Sequence, residues 1–148
     1  MTHAVEQITA NVATLLDGAT KWKAVYESRI PPARMVWPFL QVYAEQDSTD
    51  QQTIHSGPLL DRNVTVTVRG VVRVADTQTV ERSMMEIAEE VEKRLIDSAF
   101  TVSIKSVTLA ATQYDVELNS DERPAFGVVE QTWLINYMTI AGSPQTLV

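Results

Sequence analysis

Apolar and polar residues alternate most regularly between residues 63 and 74. Five valines share one parity and five polar residues the other, namely Val64, Val66, Val68, Val72 and Val74 against Asn63, Thr65, Thr67, Arg69 and Arg73. A period of two places the two sets on opposite faces of a β-strand. The segment therefore predicts a strand with one buried and one polar face. Gly70 interrupts the apolar row, which indicates a bulge or a close approach of another element.

Two other segments have apolar residues at helical spacing. The second of them carries an apolar stripe opposite a strongly charged face, and its stripe consists of Val80, Met84, Ile87, Ala88, Val91 and Leu95. The first spans residues 5–16, with Thr2 or His3 as its N-cap and Gly18 where a C′ glycine ends a helix. Both segments are predicted to be amphipathic helices with one buried face.

Four more segments are predicted to be extended. Residues 22–29 alternate loosely, residues 35–44 form an apolar run, and residues 102–118 and 126–140 are rich in β-branched and aromatic residues. Pro38 lies within the second segment and lacks a backbone N–H. We expect it at a sheet edge, a strand start or a bulge.

The resulting order of elements, α-β-β-β-α-β-β, predicts an α+β fold. We expect a mixed, mostly antiparallel sheet with two helices packed on one face, because each helix has a single apolar stripe. Residues 1–141 are predicted to form one domain, and residues 142–148 a flexible C-terminal tail. Polar loops are expected at residues 45–58 and 119–124.

Composition excludes several classes of protein. The chain has 148 residues, a formal net charge of −7, no cysteine and two histidines. The charge argues against a protein that grips nucleic acid phosphates, and the lack of cysteine excludes disulfides and thiolate metal sites. The N-terminus has no signal-peptide pattern, and no apolar run approaches the roughly 20 residues of a membrane span.

Candidate catalytic chemistry is weak. His3 and His55 lack the spacing of a metal site, and the sequence contains neither a nucleophile elbow nor a phosphate-binding glycine loop. The carboxylate pairs Asp47 and Asp50, Asp115 and Glu117, and Asp121 and Glu122 fit a solvated acidic surface better than a catalytic pair. We therefore expect no cofactor, no metal and no enzyme activity.

Arg69 and Arg73 lie on one face of the predicted strand, with Arg62 one register away, and the three form a candidate basic strand face. Pairing with acidic neighbours, or extension of their stems along the sheet, is the preferred interpretation. The three tryptophans could stack on bases or sugars, but in a chain of this size they are more often part of the core.

Several short motifs occur in a recognisable order. They are Pro38-Phe39-Leu40-Gln41-Val42-Tyr43, the alternating strand at 63–74, the long amphipathic helix, Tyr114-Asp115-Val116, and Trp133-Leu134-Ile135-Asn136-Tyr137. In order and spacing, the chain resembles the tail terminator proteins of long-tailed bacteriophages, the type known from phage lambda. The resemblance covers roughly residues 5–138. The long basic segment at 21–34 and the C-terminal GSPQTLV depart from it.

The resemblance implies a structural role in a virion. Such proteins assemble in the host cytoplasm as a ring, typically a hexamer, on the head-proximal end of the tail tube. There they stop tube polymerisation and offer a docking surface to the head connector. Candidate contacts with the tube or a neighbouring copy lie in the two polar loops, at Asp47, Asp50, His55, Asp121, Glu122 and Arg123. DNA would pass the acidic pore without specific binding.

Three alternatives remain open. The first is another head–tail joining protein of similar fold. The second is a ferredoxin-like regulatory domain that binds a small molecule, although residues 74–77 lack the glycine-rich loop expected between strand and helix. The third, an acid–base hydrolase, rests on scattered carboxylates alone.

Overall fold

A β-sheet forms the frame of the molecule, and two helices cover one of its faces. The computed structural model describes residues 2–31, 33–34, 36–50, 59–74, 77–97, 100–118 and 125–148. Their helices and strands are, in chain order, α1 Ala4–Leu16, β1 Ala24–Tyr26, β2 Phe39–Asp50, β3 Leu59–Val74, α2 Thr77–Asp97, β4 Ser106–Leu118, β5 Ala125–Ile140 and β6 Ser143–Leu147.

The strand order across the sheet is β1-β2-β3-β5-β4. β1 pairs with β2 in parallel, and the pairs β2–β3, β3–β5 and β4–β5 are antiparallel. β6 pairs antiparallel with the last residues of β5, beyond the first residue of β4. The predicted α+β class and the order α-β-β-β-α-β-β are confirmed, with β6 as an additional strand.

The core lies between the sheet and the two helices. The whole predicted stripe of α2 is buried, and so are Ile8, Val12 and Leu16 of α1. They belong to one cluster with four valines of β3 and three residues of β5, namely Val64, Val66, Val68, Val72, Trp133, Ile135 and Tyr137. Both helices therefore cover the same face of the sheet. The opposite face, which carries Arg69 and Glu130 in aligned positions, is called the open face below.

Local signals in the sequence account for the ends of α1. His3 is the N-cap, and its Nδ1 accepts a hydrogen bond of 3.1 Å from the backbone N–H of Val5. Gly18 follows the C-cap residue Asp17 and has a φ of +80°, a conformation that glycine adopts without steric cost. The predicted helix bounds are confirmed, and His3 serves as a cap.

Gly70 allows α2 to approach the sheet closely. A Cβ at this position would lie 3.0 Å from Ile87 Cγ2 and 3.1 Å from Val129 Cγ1. The register between β3 and its partners β2 and β5 is continuous at Gly70. Of the two sequence interpretations, close packing is therefore confirmed and a bulge is excluded.

Three sequence predictions about extended segments need correction. Residues 45–50, expected in a loop, continue β2 and pair with β3 after a register shift near Glu45. The strand predicted at residues 22–29 is limited to Ala24–Tyr26. Residues Ser143–Leu147, expected in a flexible tail, form β6. In each case, backbone hydrogen bonds to a neighbouring strand decide the outcome, and these bonds leave no pattern in the side chains.

Candidate assembly surface

The open face of the sheet is partly covered by the chain between β1 and β2. Gln41 of β2 is fully buried there, and its Nε2 donates hydrogen bonds of 3.1 and 3.2 Å to the backbone carbonyls of Ser28 and Arg29. Its Oε1 accepts a bond of 2.8 Å from Arg69. Gln41 thus fixes this crossing segment to the sheet, because an unbonded buried amide would be costly.

Arginines hold a second part of the open face together. Arg69 also forms an ion pair with Glu130 at 3.3 Å, between aligned residues of β3 and β5. The guanidinium of Arg73 lies 5.3 Å from the ring centre of Trp37 and 5.6 Å from that of Phe126. The segment before β2 is therefore anchored by a cation–π stack as well as by Gln41.

Arg62 does not belong to the same face as Arg69 and Arg73. Its position in β3 has the parity of Val64, and this places it on the side of the sheet that the helices cover. The candidate basic strand face is therefore wrong as a set of three. The preferred interpretation, pairing with acidic neighbours, is confirmed for Arg62 with Asp47 and for Arg69 with Glu130.

Asp47 is the centre of a small polar cluster at the far end of β2. Its Oδ1 accepts a hydrogen bond of 2.7 Å from the hydroxyl of Tyr137, and its Oδ2 lies 3.3 Å from Arg62. Arg62 Nε donates a further bond of 2.8 Å to Thr139 Oγ1. Asp47 is thus neutralised within its own chain, and we do not count it as a free acidic charge for a pore.

The Tyr137 hydroxyl gives this cluster a pH dependence. Burial, followed by the hydrogen bond to Asp47 and its charge, raises the pKa of Tyr137 well above its ordinary value. The unfolded chain releases this proton near the ordinary tyrosine pKa, whereas the folded chain retains it. The stabilisation is therefore complete below pH of about 10 and declines as the pH rises further.

Tyr137→Phe is expected to remove part of this alkaline decline and to cost about 1 kcal/mol of stability at neutral pH, the usual value of one hydrogen bond. The measurement is urea unfolding of both chains between pH 7 and 11. Tyr114→Phe, at a half-exposed tyrosine of β4, is the matched control. A variant that follows the alkaline curve of the unchanged protein would show that Tyr137 is not responsible.

The rest of the open face is acidic and less covered. A shallow cavity of about 150 Å³ is lined by residues of β3, β4 and β5, namely Arg69, Gln113, Asp115, Glu117, Val128 and Glu130. Asp115 and Glu117 are exposed, and no ion pair joins them to another described residue. Leu134, on the same face, is 40% exposed. This combination of charge and apolar surface suits a contact with another protein better than a small-molecule site.

The remaining sequence candidates are placed as follows. The backbone of Asp50 pairs with Asp61 at the end of β2, but its side chain is outside the described part. His55, Asp121, Glu122 and Arg123 lie outside the described residues altogether. Gln41 was missed by the sequence reasoning, although a lone glutamine inside an apolar run was an available signal of a buried, bonded amide.

The described residues contain no group of three or more His, Cys, Asp or Glu side chains that could hold a metal ion. None of the helices in the described segments has both the length and the apolar character needed to cross a membrane.

Comparison with known proteins identifies the fold. No protein-family model matches the sequence, and no curated protein matches it. Among solved structures, the chain is similar to a chain of the virion of a native gene transfer agent particle, with a TM-score of 0.60 and 12% sequence identity. The match covers 91% of this chain and 98% of the other. At this identity the likeness shows a shared fold over nearly the whole of both chains.

Proposed function

We propose that this protein is a structural component of a virion, and specifically a tail terminator. In this role, copies of the chain form a ring, a hexamer in the simplest case, at the head-proximal end of the tail tube. The ring stops tube polymerisation and presents a docking surface to the head connector. The observation that carries the proposal is the likeness to a chain of a gene transfer agent virion over almost the full length of both chains.

The order of sequence motifs supports the same role independently. The apolar strand at 38–43, the alternating strand, the long amphipathic helix and the final tryptophan-containing strand occupy β2, β3, α2 and β5. The motifs that carry the resemblance to tail terminators therefore coincide with the elements of the sheet and its covering helix, and not with surface chemistry.

The surface also suits a protein that works by assembly. A ring built from one chain needs two different patches that complement each other, since a head-to-tail contact repeats around an axis until it closes. The open face offers an acidic region on β4 and β5 and a basic crossing segment before β2. Asp115 and Glu117 supply exposed negative charge at one end of the sheet.

The proposal predicts a closed ring of about six copies of a 16.5 kDa chain. Native mass spectrometry gives the copy number, and negative-stain images of the same sample show whether a central pore is present. Because assembly can depend on the tube, each measurement is made on the chain alone and with tube protein. A monomer under both conditions would contradict the proposal.

Deletion of the gene distinguishes a terminator from a head–tail joining protein. Without a terminator, tube growth is unchecked, and over-long tails are expected. Without a joining protein, tails of normal length that lack heads are expected instead. Electron micrographs of the resulting particles measure both quantities, with complementation by the unchanged chain as the control.

A further inference from the structure

β4 is an edge strand with an uncovered side. It pairs with β5 on one side, and no described strand pairs with the other. A register shift lies near Ala110, and residues 111–118 continue in regular register. Residues 111–118 contain no proline, lysine or arginine, and their charged residues are Asp115 and Glu117. A regular edge of this kind is a template for pairing with another chain, and its two carboxylates favour a basic partner.

The opposite edge of the sheet has the complementary charge. β1 is the outermost strand there, and residues 20–34 around it, named the basic arm, contain Lys21, Lys23, Arg29 and Arg34 but a single acidic residue, Glu27. Within the arm, Lys23 and Arg34 are exposed, and no ion pair joins either of them to a described residue. Ile30 is 77% exposed. The arm thus presents positive charge and apolar surface together.

The strand register brings the two edges to the same level. Ala24 of β1 is aligned through Phe39, Val71 and Val128 with Asp115 of β4. Ala24 and Asp115 also share the open face of the sheet, because Phe39 and Val71 have the parity of Gln41 and Arg69. β1 runs parallel to β2, and β2 runs opposite to β3, which in turn runs opposite to β5. Because β4 is antiparallel to β5, β1 and β4 run in opposite directions.

These relations define one contact between copies. We propose that the β1 edge and basic arm of one copy bind the β4 edge and the Asp115–Glu117 region of the next. A second copy placed beside the first in similar orientation brings β1 antiparallel to β4, with Ala24 opposite Asp115 and the positive charge of the basic arm near Asp115 and Glu117. The two patches are different, so the contact is heterologous and can close into a ring. The inference rests on the proposed function and adds the interface that builds the ring.

Disulfide trapping tests the juxtaposition directly. The natural chain has no cysteine, so single cysteines report one contact each. A mixture of Ala24→Cys and Asp115→Cys chains, concentrated with or without tube protein and oxidised, is expected to give a disulfide-linked heterodimer. Mass spectrometry of the digested product identifies the bond. The matched control pairs Ala24→Cys with Glu89→Cys, on the exposed surface of α2, and is expected to give at least tenfold less product.

Charge exchange tests whether the contact builds the oligomer. Asp115→Lys with Glu117→Lys, and separately Lys23→Glu with Arg34→Glu, are each expected to weaken association at least tenfold, because like charges then face each other. Combining all four substitutions is expected to restore it. Glu89→Lys with Glu92→Lys, at two exposed positions of α2, makes the same change of net charge and is expected to leave association unchanged. Sedimentation velocity measures the association, and circular dichroism verifies folding.

The outcomes separate the inference from the proposed function. A ring that forms without the Ala24–Asp115 disulfide, or that tolerates both charge reversals, overturns the interface and leaves the terminator role intact. An equal yield of disulfide-linked product from the control pair likewise overturns the interface. A chain that remains monomeric with and without tube protein, and gives no disulfide, contradicts both.

Discussion

Trp133→Ala is expected to lower the free energy of unfolding by about 3–5 kcal/mol, the usual cost of removing a large aromatic side chain from a core. Trp133 is fully buried in β5, where it is aligned with Val66 of β3 and Leu109 of β4. Its side chain fills the space between the centre of the sheet and the helices. The substitution leaves a cavity that the surrounding side chains fill only in part.

Trp133→Ala also removes a hydrogen bond, and this adds to the loss of packing. Trp133 Nε1 donates to Gln131 Oε1 at 3.3 Å, and the Nε2 of the buried Gln131 donates to the carbonyl of Ala88 at 3.1 Å. Alanine leaves the Gln131 oxygen without this donor. Urea unfolding of the purified chain measures the change.

Two variants divide these contributions. Trp133→Phe keeps much of the ring volume but lacks the donor, and we expect it to cost less than alanine. Tyr114→Ala, at a half-exposed aromatic residue, controls for aromatic removal outside the core. If Trp133→Ala cost no more than Tyr114→Ala, the placement of Trp133 at the centre of the core would be contradicted.

Gly127→Val is expected to destabilise the protein by about 1–3 kcal/mol or more through overpacking. A Cβ at Gly127 would lie 2.8 Å from both Met84 Sδ and Val80 Cγ1 of α2. Met84 has a flexible side chain and can move aside, but the β-branched Val80 has little rotamer freedom in a helix. Helix α2 therefore has to shift away from β5, and the thermal unfolding midpoint records the loss.

A double variant identifies the clash as the cause. Met84→Ala alone is expected to be destabilising, since Met84 is buried. The double variant with Met84→Ala and Gly127→Val is expected to lose less stability than the sum of the two single losses, because valine occupies part of the space that Met84 vacates. Ala111→Val, at an exposed position of β4, is the control and is expected to stay within about 0.5 kcal/mol. Strict additivity would show that Gly127 and Met84 do not compete for the same volume.

The candidate site was predictable in part. Period two places Arg69 and Arg73 on one face of β3 and assigns Arg62 to the face of Val64, and the structure confirms this parity. The alternation alone therefore sets Arg62 apart from the other two arginines. The partners Asp47, Tyr137 and Glu130 were not predictable, because they come from strands distant in sequence and meet through the register of the sheet.

Local side-chain pattern determined the elements and their buried faces. The stripe of α2, the alternation of β3 and the glycine after α1 act over a few residues, and the structure reproduces each of them. The tertiary structure alone decided that residues 45–50 extend β2, that Ser143–Leu147 pair with β5, and that Gln41 is buried beneath the crossing segment. Backbone hydrogen bonds and long-range contacts make these decisions. Every residue except proline carries the same donor and acceptor groups, so the sequence alone does not show which strands they join.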